Sequence, residues 1–284
     1  MKRGYLLLCL TFFLWGSLYV VSKYAFTTVP PMAVLFLRYL VAAPLLYLLA
    51  RRKGLKKIEK KHIPYFLTFG AVGYTLSIGT QLLATDMMDA SLASLLNATN
   101  PVMISLFAVL LLKEKMTPAK VAGLACSLVG VVIVIGVGKG KVSLPGIALS
   151  LIAVIFWSLN SVLIRKVSGH YSSEQISFCA MAAALPFSLI CTLVQLRSVP
   201  ISFTPASAAA ILYIGVFSTA AAFLCWNRCL SEMDASVCSL FYPLQPLFSA
   251  ILGVVLLGEP LTVSFILGGI FISAGVIIGL KKSK

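Results

Sequence analysis

Apolar residues run along this chain in long blocks separated by short polar stretches. Ten such blocks fall at residues 5–22, 32–50, 64–83, 90–112, 121–137, 146–164, 176–195, 205–226, 235–257 and 263–280. A helix needs about 20 mostly apolar residues to cross the hydrocarbon core of a bilayer. The blocks lack the apolar/polar alternation over about ten residues that marks a membrane β-barrel. They predict an all-α integral membrane protein with ten transmembrane helices, nine short loops and no soluble domain between them.

Composition sharpens this reading. Hydrophobic residues make up 60% of the 284 positions and charged residues 11%, against about 45–50% and 25% in a soluble domain. The 23 basic residues exceed the 8 acidic ones, for a net charge of +15. In so apolar a chain that excess is no nucleic-acid footprint. With the N-terminus inside, 18 of the 23 fall on the inner side, seven of them between Arg51 and Lys61. Lys23, Lys139, Lys141 and Arg197 fall outside, and Arg38 lies within the second block. Such asymmetry predicts cytoplasmic termini and insertion in the plasma membrane. The first block is too long, and lacks the small-residue site, for a cleaved signal peptide. Seven cysteines sit within or at the ends of blocks, which argues against a disulfide framework. Cys225 and Cys229 are four apart, but neither His62 nor His170 falls in a block, so packing outweighs metal binding. No cofactor is expected.

The chain also repeats itself. Met88-Asp89-Ala90-Ser91 recurs as Met233-Asp234-Ala235-Ser236, an offset of 145. The same offset pairs Ser94 with Ser239, Pro101 with Pro246, Glu114 with Glu259, Gly123 with Gly268 and Gly130 with Gly275. Trp15 pairs with Trp157 at an offset of 142. The Gly/Lys-rich stretch 137–143 is the natural joint, dividing the chain into halves 1–140 and 141–284. Each half holds five blocks, an odd number, so the second half must cross the membrane in the opposite sense. Inverted repeats with a midplane site between them are the architecture of many secondary transporters.

Several segments now carry a family resemblance: Trp15-Gly16-Ser17 through Lys23, Arg38-Tyr39-Leu40 with Ala42-Ala43, and Leu110 to Glu114 with Thr117 and Gly123. Pro246-Leu247-Phe248 through Gly258-Glu259 and Gly268 fit the same pattern. The chain resembles the EamA type of the drug/metabolite transporter superfamily over essentially its whole length. That resemblance implies ten helices, alternating access and movement of a small polar metabolite, often export of amino acids or related compounds.

Candidate site residues cluster at matching depths of the two halves. Pro101, Pro243 and Pro246 interrupt the fourth and ninth blocks and free the carbonyls of Asn97, Ser239 and Tyr242. An unsatisfied carbonyl in hydrocarbon costs several kcal/mol, so these positions should face protein, water or ligand. Asn97, Asn100, Tyr242 and Gln245 accompany the breaks, and Asn97/Tyr242 and Asn100/Gln245 are repeat-related. The competing role for these amides is gluing helices together, worth about 0.6 kcal/mol per contact. Trp15 and Trp157 lie at mid-depth, away from the interfacial belt, with Tyr19 and Asn160 one turn beyond them. An aromatic wall with hydrogen-bonding groups suits a small amphiphilic solute and offers a cation–π surface; bundle filling is the alternative. Arg38 is costly at its depth. Two roles are open to it: binding a substrate carboxylate or phosphate, or anchoring its helix. Lys23, nearer the surface, is expected to snorkel.

None of the eight carboxylates falls mid-block, so a facilitator or exchanger is as plausible as an ion-coupled pump. Helices five and ten, with Gly123, Gly130, Gly268, Gly275 and Gly279, are expected to brace the bundle by close packing, with a dimer contact as a further use. Partners are therefore a small solute and the bilayer, with no nucleic acid, and the protein is a monomer or homodimer. Two other readings compete. A polytopic membrane enzyme would need clustered acid–base or metal-binding groups, and no catalytic residue emerges here. A non-transporting sensor would need a domain to signal through.

Overall fold

The computed structural model describes residues 2–88, 90–135, 143–257 and 263–279. Among these every regular element is helical. They are α1 (Lys2–Phe26), α2 (Pro31–Lys53), α3 (Ile63–Thr68), α4 (Ile78–Met87), α5 (Ala90–Asn97), α6 (Asn100–Leu112) and α7 (Pro118–Ile135). There follow α8 (Leu144–Val167), α9 (Ser173–Gln195), α10 (Pro205–Tyr213), α11 (Ala222–Glu232), α12 (Ala235–Ser239), α13 (Leu244–Leu257) and α14 (Val263–Gly279). Seven stretches are long and apolar enough to cross a membrane: Arg3–Phe26, Pro31–Lys53, Lys60–Met87, Leu144–Val167, Ser173–Gln195, Pro205–Glu232 and Ala235–Leu256. Asn100–Leu112, Pro118–Gly130 and Ile266–Gly279 are shorter apolar helices. The expected joint at 137–143 lies outside the described residues except for Ser143, as do Asp89, Gly258, Glu259 and Thr262.

Burial is arranged for a bilayer. The outer surface carries apolar side chains such as Leu6, Leu110, Val255 and Ile277, each more than 60% exposed. Serines, threonines and amides are turned inward. Apolar exposure on this scale would be a liability in water; against lipid it costs nothing.

Repeat-related helices pack on repeat-related partners. Helix α1 lies on α13 as α8 lies on α6, and α4 lies on α8 as α11 lies on α1. Helix α2 packs along α9, and α7 along α14. Pro44 in α2 and Pro186 in α9, both internal to their helices, share the offset of 142. Two stretches, Phe69–Ser77 between α3 and α4 and Ile214–Ala221 between α10 and α11, wind as π-helix; their first residues stand 145 apart. Each touches the opposite half through a glycine. A Cβ on Gly70 would lie 2.6 Å from the Ala183 backbone, and one on Gly215 2.6 Å from Val41 Cβ.

Helices α7 and α14 meet through glycines as well. A Cβ on Gly123 would lie 2.6 Å from Gly275 O and from Gly279. The Gly275/Gly279 pair is thus spent inside the chain rather than on a dimer seam.

Contacts between loops sort into two ends. At one end Gln175 bonds the Lys56 backbone, Tyr171 bonds Glu59 N and His62, and Glu114, Lys120 and Arg165 gather around Asp234 to Ser236. At the other, Ser202 N donates to Thr28 O (3.0 Å), and Met32 N to Gln195 Oε1 (2.8 Å). These are the two groups of loops that the charge pattern separates. Lys23 does not snorkel: its Nζ donates to Thr85 O (2.5 Å) and Met88 O (2.7 Å) at the end of α4. Its repeat mate Arg165 donates to Leu230 O (2.9 Å) and Ser231 O (3.0 Å) at the end of α11. A cation on the terminal carbonyls of a helix is favoured by their unsatisfied lone pairs and the helix dipole.

Candidate functional site: a cavity between repeat-related helices

The prolines break two helices at matching places. Helices α5 and α6 are separated at Ala98–Thr99, and α12 and α13 at Leu240–Pro243. The freed carbonyls find partners within the protein. Asn100 Nδ2 donates to Asn97 O (2.7 Å), Tyr242 N to Ser239 O (3.1 Å), and Gln245 N to Tyr242 O (2.9 Å). The breaks therefore leave no bare carbonyl for a ligand; they place side chains instead.

Those side chains line a narrow, partly open cavity. Trp15, Arg38, Asn97, Asn100, Trp157, Tyr242 and Gln245 contribute to its wall, joined by Leu18, Ile78, Gln81 and Phe223. Three repeat-related pairs thus face one space: Trp15/Trp157, Asn97/Tyr242 and Asn100/Gln245. Ile78 and Phe223 are a fourth, offset by 145.

One side is aromatic. The Trp15 and Trp157 rings meet edge-on at 5.6 Å, and Phe223 lies 5.5 Å from each. Trp226 packs 5.5 Å from Trp15 and from Tyr242. The Trp157 indole N–H donates to the Tyr242 hydroxyl, which holds both rings in place.

The polar side is a chain of amides and hydroxyls. Gln81 Nε2 donates to the Tyr19 hydroxyl (2.8 Å), which also interacts with Gln245 and Asn97. Ser158 Oγ donates to Asn100 Oδ1 (2.9 Å). Arg38 is fully buried. Its Nε donates to Thr219 Oγ1 (2.6 Å) and its Nη2 weakly to Ser218 O (3.4 Å), both on the second π-helical stretch. The Nη1 atom has no hydrogen-bond partner.

Two expected residues stand elsewhere. Tyr19 sits behind the wall, touching the cavity through Gln81. Asn160 packs against Gly73, beside the first π-helical stretch. Three residues along a helix leave a side chain about 60° from the starting direction, enough to turn Asn160 from the cavity to a neighbouring helix. Sequence reasoning misses Gln81 and Phe223. An amide near the end of an apolar block is the signal that could have found Gln81, and the offset pairing Ile78 with Phe223 the signal for the other. Among the described residues no three His, Cys, Asp or Glu side chains gather as a metal site.

The fold and the cavity define a multi-pass membrane protein built from two similar halves around a central chamber. The EamA-like transporter family matches residues 2–136 and again 144–280, and the chain belongs to that family. An uncharacterized transporter of Archaeoglobus fulgidus is 28% identical over 99% of this chain and 98% of its own. A probable amino-acid metabolite efflux pump of Salmonella typhimurium is 26% identical, covering 98% of this chain and 95% of its own. One solved crystal structure, 21% identical, has the same fold at a TM-score of 0.82, covering 99% of this chain and 97% of that one.

Proposed function

We propose that this protein exports small organic metabolites, amino acids or related compounds, by alternating access through ten spans in two inverted halves, 1–140 and 141–284. The observation that carries this is the cavity wall: repeat-related residues of both halves converge on one chamber at the two helix breaks. Equivalent packing of equivalent helices supports a rocking exchange of the halves, since each contact has a counterpart ready-made on the other side. The Salmonella relative's name supports the solute class. No Asp, Glu or His side chain lines the cavity among the described residues, so the chamber suits solute rather than an acid–base reaction.

Efflux from cells, or uptake into liposomes, tests the site. Removing the Gln245 amide should weaken solute affinity about fivefold, the worth of one ordinary hydrogen bond. Asn100→Ala should cost more, because it also strips the Asn97 carbonyl of its donor. Full transport with unchanged affinity in both variants would move the site elsewhere.

The plasma-membrane orientation, both termini cytoplasmic, has its own test. Alkaline phosphatase fused after Lys57 or at the C-terminus should be inactive, and fused near Asp86 or Lys139 active. The opposite pattern would invert the assignment.

A further inference from the structure

Within the transport reading above, we infer that Arg38 is the binding group for a substrate carboxylate, so that the cavity selects solutes carrying one. A guanidinium stays protonated in any protein environment. Buried without a counter-charge it is among the most costly groups a fold can hold. Arg38 is fully buried, lines the cavity, and forms no ion pair within 4.0 Å among the described residues. Two of its three nitrogens are held by Thr219 Oγ1 and Ser218 O, and these bonds orient the planar group. The third, Nη1, is left without a partner. Neutral oxygens and the Tyr39 and Phe223 rings, each 5.8 Å from the guanidinium carbon, orient the group, but they do not supply the missing negative charge.

The internal repeat carries no cation at the matching position. The counterpart of Arg38, offset by 142, is Ala180, itself fully buried at the matching place in α9. In the second half a methyl group stands where the first half has a guanidinium. The charge is therefore an addition on one side of the chamber. A carboxylate reaching this wall would pair with the buried, unpartnered guanidinium nitrogen, with the rest of the solute against Trp15, Trp157 and Phe223. A phosphate dianion would ask for more donors than this wall offers, since the Asn97 and Asn100 amides already donate to backbone carbonyls (3.2 and 2.7 Å).

The test uses three matched probes: leucine, leucinamide, and 4-methylpentanoate, which is leucine without its amine. All three tryptophans of the chain, Trp15, Trp157 and Trp226, belong to the aromatic cluster at the cavity. Intrinsic fluorescence of the purified full-length protein therefore reports occupancy. Leucine and 4-methylpentanoate should bind at least tenfold more tightly than leucinamide. Arg38→Gln should erase that preference, whereas Arg38→Lys should keep part of it. Thr219→Val, which removes the acceptor orienting the guanidinium, should weaken the two carboxylates severalfold and leave leucinamide unchanged. If Arg38→Gln fails to fold, the ranking of probes on the unaltered protein still decides. Equal binding of leucine and leucinamide overturns the proposal, as does an unchanged preference in Arg38→Gln; either leaves the chamber as the transport site. A protein that exports other solutes but responds to no probe also overturns it. Export insensitive to Asn100→Ala and Gln245→Ala would instead remove the chamber reading itself.

Discussion

Replacing Trp157 with alanine should abolish efflux and destabilise the folded protein by about 3–5 kcal/mol, the usual cost of emptying a buried aromatic site. Trp157 is 3% exposed and stands between Trp15, Phe223 and Tyr74 at centroid distances of 5.6, 5.5 and 5.9 Å. Its neighbours are rings on different helical stretches, which cannot collapse inward together without moving the helices. The indole also donates to Tyr242, so truncation leaves a buried hydroxyl short of a partner. Trp157→Phe separates the two losses. It keeps most of the ring contact and removes the donor, at a cost of about 1 kcal/mol. Thermal melting in detergent and efflux from cells report the two effects. An alanine variant that melts lower yet exports like the parent would show that the aromatic cluster only fills the bundle.

Gly70→Leu should prevent recovery of folded protein. Its Cβ would stand 2.6, 2.7 and 2.8 Å from the carbonyl carbon, Cβ and carbonyl oxygen of Ala183. Backbone cannot step aside as a flexible side chain can, and even ordinary overpacking costs about 1–3 kcal/mol. Gly215→Leu, facing the Val41 side chain at 2.6 Å, should be damaging but milder. Gly169→Leu is the control: nothing lies within 4 Å of its added carbon, so its effect should stay within about 0.5 kcal/mol. Size-exclusion yield after membrane extraction reads all three. Equal yields would mean that the two π-helical stretches do not seat closely against α9 and α2.

Much of the candidate site is legible in the amino-acid sequence. Trp15, Trp157, Asn97, Asn100, Tyr242 and Gln245 are marked by depth, by proximity to proline or by recurrence at a constant offset, and all line the chamber. Each of those signals is one-dimensional. Asn160 shares the depth of Trp157 and points elsewhere. Lys23 reads as a snorkelling surface lysine because its hydrogen-bond acceptors are not nearby in sequence; Thr85 and Met88 lie more than 60 positions away. The π-helical winding of residues 69–77 and 214–221 leaves no trace in composition. It matters because carbonyls there accept from side chains on neighbouring helices, Tyr74 O from Tyr39 and Ser218 O from Arg38.

What the sequence determined by itself was solvent and plan. Blocks long enough for a bilayer announce a membrane protein and duplicated residues announce two related halves, while the basic loops give an expectation for the direction of insertion. Those properties depend on local hydrophobicity, charge count and copying, all of which survive in a linear string. The tertiary structure alone decided which way each helix faces. A soluble helix declares its buried face by an apolar stripe. A helix that is apolar on every side declares none, because lipid and protein interior are almost equally good solvents for it. Rotation about each axis was therefore settled by glycine contacts, proline breaks and a few hydrogen bonds between distant residues. Those same few contacts hold Arg38 at the wall of the chamber with one nitrogen unpartnered.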